Sequence, residues 1–92
     1  MNPMKTRDIE SGLLRKGFRR SERHHTYYFL YVDGLKTSIR TKISRGEREY
    51  GEPLLGQMSK QLGLDRQQFH ELVTCPMSAE DYRQHLAATD RI

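Results

Sequence analysis

Two adjacent histidines, His24 and His25, stand between basic stretches of chain: Arg19, Arg20 and Arg23 before them, Arg40, Lys42 and Arg45 beyond. Imidazole can take up or release a proton near neutral pH, and guanidinium or ammonium groups beside it can steady an anion. The pair therefore suits proton transfer at an anionic centre. A metal role fits less well. Adjacent histidines on a strand point to opposite faces, and His70 and His85 are isolated from each other. Glu47, Glu49 and Glu52 lie in one polar stretch and read as a solvated charge run. No cofactor is implied.

The histidines open a run that reads as a β-hairpin, His24 to Ile43. Its first arm is aromatic and β-branched, and Asp33-Gly34 supplies a tight turn because both residues tolerate positive φ. In that arm His25, Tyr27, Phe29 and Tyr31 share one face, and His24, Tyr28, Leu30 and Val32 share the other. The second arm alternates Thr37, Ile39, Thr41 and Ile43 with Ser38, Arg40 and Lys42. One face of each arm must lie under helices. The period-two pattern leaves open which one.

Helices flank the hairpin. Thr6 is placed to cap a first helix over 7–16, with Ile9 and Leu13 on its inner face, Leu14 beside them and Gly17 as the left-handed residue that ends it. Phe18 to Arg23 reads as a short edge strand. Ser44 to Glu52 reads as a polar loop, and Pro53 suits the first turn of a second helix with a stripe of Leu54, Leu55, Met58 and Leu62. Asp65 and Gln68 form a capping box for a third helix with Phe69, Leu72 and Val73 inward. Cys75-Pro76 stops it. Ser78 and Asp81 open a fourth, with Tyr82 and Leu86 inward and the chain fraying from Thr89. The expected fold is α+β: α-β-β-β-α, a three-stranded antiparallel sheet with both long helices on one face, plus two short C-terminal helices. This is the double-stranded-RNA-binding-domain architecture. Residues 1–64 form the domain, and 65–92 a helical extension packed on it.

Totals constrain partners. The 92 residues carry 16 Lys+Arg against 12 Asp+Glu, a formal net charge of +4, which suits an anionic partner. Cys75 is the only cysteine, so no internal disulfide forms, and it reads as a small buried apolar residue. A reducing cytoplasm fits. No apolar run is long enough for a bilayer, and no signal-peptide core follows the N-terminus.

Lys16-Gly17-Phe18, the short basic segment, His24-His25-Thr26-Tyr27, a strand ending in Asp33-Gly34, a second strand from Thr37 to Ile43 and a helix closing on Lys60-Gln61-Leu62-Gly63-Leu64 together resemble the HicA toxins. Those are small mRNA interferases held in check by HicB antitoxins. The resemblance spans residues 6–64. It implies an RNA endonuclease, with His24 as the catalytic histidine at the start of the second strand. Glu22-Arg23 stand where the family usually has Gly-Ser, a bulkier pair in which Arg23 can contact a phosphate. The absent metal-ligand set predicts metal-independent cleavage, the basic residues Arg20, Arg23, Arg40, Lys42 and Arg45 are expected to contact the RNA, and the resemblance implies mRNA as substrate and a HicB-like antitoxin as protein partner.

Two other readings use other residues. Met58 to Val73 has the outline of a helix-turn-helix, with Arg66, Gln67 and Gln68 where base contacts would be made. A non-catalytic double-stranded-RNA binder or interaction module would need only the basic surface.

Overall fold

The computed structural model describes residues 3–22, 25–44, 46–74 and 76–92. In chain order the elements are β1 (Met4–Lys5), α1 (Thr6–Arg15), β2 (Phe18–Glu22), β3 (Thr26–Val32), β4 (Leu35–Ile43), β5 (Glu49–Tyr50), α2 (Glu52–Gln61), α3 (Arg66–Thr74) and α4 (Ala79–Ala88). The fold is α+β. Strands β2, β3 and β4 form a three-stranded antiparallel sheet with β3 in the centre. The expected hairpin is present. Asp33 and Gly34 both have positive φ, 53° and 79°, as a two-residue turn of this hand requires.

One face of the sheet carries the core. Tyr28, Leu30, Ile39 and Ile43 are buried there with Ile9 and Leu13 of α1 and Leu55, Met58 and Leu62 of α2. Both long helices therefore cover the same face. Phe69, Leu72 and Val73 of α3 and Tyr82 and Leu86 of α4 belong to the same cluster, and the ring of Phe18 stacks on Tyr82 with centroids 6.0 Å apart. Both capping boxes form. Asp65 accepts from the Gln68 amide at 2.7 Å, and Ser78 accepts from the Asp81 amide at 3.0 Å.

Several local expectations are corrected. Thr6 does not cap α1: the N-cap is Lys5, without a side-chain bond. The Thr6 hydroxyl instead donates to the Glu47 carbonyl at 2.7 Å. The polar stretch after Ser44 is not all loop, because Glu49–Tyr50 pairs antiparallel with Met4–Lys5. Tyr50 is buried, and its hydroxyl accepts from the Ser44 amide at 2.6 Å. Leu54 and Leu14 point out of the core, 46% and 50% exposed, since the helical stripes are narrower than their apolar runs. The chain beyond Thr89 is held: Asp90 adopts a left-handed conformation, and the Arg91 amide donates to the Leu86 carbonyl at 2.8 Å. Cys75 lies outside the described residues.

Helices α1 and α3 touch through Gly12. A Cβ there would sit 2.5 Å from the Val73 carbonyl oxygen and 2.8 Å from its Cα. Alanine in mid-helix normally gains about 1 kcal/mol over glycine, but overpacking against backbone typically costs about 1–3 kcal/mol. Gly12→Ala is therefore expected to lower the urea midpoint. A midpoint that rises would mean the helices are free to separate here.

Candidate nucleic-acid interface

The sheet face away from the helices is open, and the register specifies what it presents. Arg19 and Ser21 lie opposite Phe29 and Tyr27 across β2–β3. Lys42, Arg40 and Lys36 lie opposite Tyr27, Phe29 and Tyr31 across β3–β4. Residues directly opposite each other share a face. A central row of half-buried Tyr27, Phe29 and Tyr31 is thus flanked by exposed cations on both sides. The cations lie over the rings. Arg19 is 4.3 Å from the Tyr31 centroid, Lys36 is 3.9 Å from Phe29, and Arg40 is 5.7 Å from Tyr27 and 6.0 Å from Phe29. His25 meets Tyr27 edge-on at 6.4 Å. Among the described residues, the outward positions of these strands hold Arg19, Lys36, Arg40 and Lys42 and no carboxylate.

The register is not the one the turn alone would give. From Asp33-Gly34, regular pairing would set Phe29 opposite Ser38. An irregularity between Phe29 and Tyr31 places it opposite Arg40 instead. Thr37 fills the gap, its hydroxyl donating to the Leu30 carbonyl at 2.8 Å and accepting from the Ile39 amide at 3.2 Å. The slip is by two residues, so faces are preserved. Its effect is to bring Arg40 over two rings and Lys42 beside Tyr27.

Of the expected contact residues, Arg40 and Lys42 come together on this face. Arg20 does not join them. It lies opposite Tyr28, on the helix-covered side, and pairs with Glu22 at 2.5 Å and Glu10 at 4.0 Å. There it lines an open cleft of about 590 Å³ together with Glu10, Glu22 and Glu47. Among the described residues, the charged lining of that cleft is three carboxylates and one guanidinium. The Tyr28 hydroxyl donates to the Glu10 carboxylate. Burial first, then that hydrogen bond, raise the Tyr28 phenol above its ordinary value, so it remains a donor. His24, Arg23 and Arg45 lie outside the described residues.

Sequence reasoning missed Arg19 and Lys36 as parts of the interface. Alternation along the strands was the available signal: Arg19 is two residues from Ser21, and Lys36 two from Ser38 and four from Arg40.

Helices α2 and α3 do make a helix-turn-helix outline, with Gly63 at φ 75° in the turn. Two of its three supposed reading residues are engaged within the protein, and Gln67 is exposed. Arg66 pairs with Glu52 at 3.2 Å, and Gln68 is held in the capping box with Asp65. The turn is clamped from α4: the Tyr82 hydroxyl donates to the Leu62 carbonyl at 2.7 Å, and His85 Nε2 contacts the Gly63 carbonyl at 2.9 Å. This turn connects helices in a core. Among the described residues, no three His, Cys, Asp or Glu side chains converge as a metal ligand set, and no helix is long and apolar enough to cross a membrane.

The fold and the open face define a small α+β protein with a cationic, aromatic sheet surface. No protein family matches the chain, and no curated protein or solved structure matches it.

Proposed function

We propose that this protein binds RNA on the open face of its sheet and cleaves it as a metal-independent endoribonuclease of the HicA kind, acting on mRNA in the cytoplasm. One observation carries the binding half of this reading. Four cations and no carboxylate project from the described outward positions beside a row of rings. A polyanion gains from every one of those charges and meets no opposing one.

Cleavage follows from the histidine and the substrate. The 2′-hydroxyl of one nucleotide attacks the adjacent phosphorus, and the 5′-oxygen of the next nucleotide leaves. A base takes the 2′ proton and an acid returns one to the leaving oxygen. The products are a 2′,3′-cyclic phosphate and a 5′-hydroxyl, with no net change in protons and no metal. His24 precedes β3, which starts at Thr26, so the alternation of that strand does not assign it a face, and it serves as acid or base at the strand entry, as the resemblance implies. Arg40 and Lys42 stabilise charge on the substrate. The test is digestion of a defined RNA in EDTA with end-group analysis. Cyclic phosphate ends are expected. Activity that vanishes in chelator and returns with Mg²⁺ or Mn²⁺ would reject the mechanism.

A ribonuclease of this kind needs masking in its own cell. An acidic, HicB-like antitoxin complements the cations of the face and would compete with RNA for them. Charge complementarity makes its association fast and salt-sensitive. Co-expression should yield a stable complex in which cleavage is suppressed. A complex that forms but leaves cleavage intact would refute masking.

A further inference from the structure

The charges of the open face call for an anion, but its rings ask for something more specific. We propose that the face takes single-stranded RNA, with successive bases unstacked onto Tyr27, Phe29 and Tyr31 while the backbone runs along Arg40 and Lys42. This rests on the RNA-binding reading and narrows its substrate.

Three observations carry it. The Tyr27 and Phe29 centroids are 6.1 Å apart, whereas bases stacked in a duplex rise by about 3.4 Å each. A base on each ring must therefore leave its own stack, which a single strand does at much lower cost than a duplex. Secondly, the rings form the central row with cations on both sides. An A-form duplex offers phosphates and sugar hydroxyls and keeps the faces of its bases hidden, so the rings would be covered without gaining a partner. A single strand uses both parts, stacking in the middle and charge at the flank. The third concerns the rings' present company. Lys36 over Phe29 at 3.9 Å and Arg19 over Tyr31 at 4.3 Å occupy the faces a base would take. Contacts between exposed cations and rings are weak beside base stacking. These two side chains are long enough to swing away and meet phosphates, so the face is covered when free and cationic at its rim when bound. A second copy of the chain is a poor occupant, because it would set four cations against four.

The span from Tyr27 to Tyr31 is about 13 Å at strand rise, room for three bases at the ring spacing. The test uses wild-type protein and a fluorescein-labelled ten-nucleotide 2′-O-methyl RNA, which lacks the attacking hydroxyl. Its affinity by anisotropy is compared with that of a sixteen-base-pair duplex methylated in the same way. The single strand should bind at least roughly tenfold tighter, and Phe29→Leu and Tyr27→Leu should each weaken it by roughly 5- to 150-fold. Leucine keeps the apolar bulk, and a thermal melt checks the fold. Arg40→Gln should weaken both ligands and lower the salt slope. Duplex binding as tight as single-strand binding would overturn the proposal. So would leucine variants that bind like wild type while Arg40→Gln weakens binding, although RNA binding itself would then survive. If neither RNA binds, the underlying reading fails with it.

Discussion

Replacing His24 by alanine is expected to slow RNA cleavage by about 10²–10⁴-fold, the usual contribution of a positioned acid or base. Affinity for a non-cleavable strand should change little, because the cations and rings of the open face remain. The two readouts separate chemistry from binding. His25 is the informative comparison. It stands on the open face, edge-on to Tyr27 at 6.4 Å, so it is close to where the proposed strand would lie. Should His25→Ala abolish cleavage while His24→Ala retains it, the proton-transfer role belongs to the histidine beside the ring row. Should neither substitution matter, the protein binds RNA without cutting it, and the basic surface alone accounts for its action.

A chain cut after Leu64 is expected not to fold. The cut removes Phe69, Leu72, Val73, Tyr82 and Leu86 from the shared core. A fully buried side chain of this size contributes about 1.5–3 kcal/mol, so five contribute about 7–15 kcal/mol at most. That equals the whole stability of a typical domain, about 5–15 kcal/mol. The loss extends into what remains. The Lys16 ammonium donates to the Leu72 carbonyl at 2.7 Å and the Met77 carbonyl at 2.5 Å from a buried position. Without α3 those bonds go, Phe18 loses Tyr82, and the side of α1 around Gly12 is uncovered. Circular dichroism of residues 1–64 should show no cooperative melt. A truncated chain that melts sharply near the full-length temperature would make the last two helices a detachable addition.

Lys16 also shows where reading the chain stops. In sequence it is a cation at a helix end, an ordinary solvated position. In the fold it closes the C-terminal end of α3, some 56 residues away. Nothing near it in the chain announces that partner. Thr6 behaves similarly: its type fits a cap, yet its hydroxyl is used to tie α1 to the Glu47 carbonyl. Gly12 looks like a weak point in a helix and is a contact between two helices.

Short-range chemistry was legible because it is decided within a few residues. The positive-φ pair Asp33-Gly34 makes the hairpin turn, the Asp65–Gln68 and Ser78–Asp81 boxes start α3 and α4, and Gly17 and Gly63 end α1 and α2. Period-two alternation sorted the strand residues into two faces correctly, but it is symmetric and cannot say which face is open. That choice fell to packing. The helices cover Tyr28, Leu30 and Ile39, and the rings of Tyr27, Phe29 and Tyr31 are left to solvent and cations. Strand pairing separated Arg20 from Arg40 and Lys42: Arg20 lies opposite Tyr28, whereas Arg40 and Lys42 lie opposite Phe29 and Tyr27, its neighbours on the other face. The pairing of Arg40 with Phe29 came from the irregularity at Thr37, whose hydroxyl bonds the backbone on both strands. A turn fixes register only next to itself. Farther along the strand, Ile39, Thr41 and Ile43 are buried in a core shared with helices that arrive later in the chain, and no local rule contains those helices.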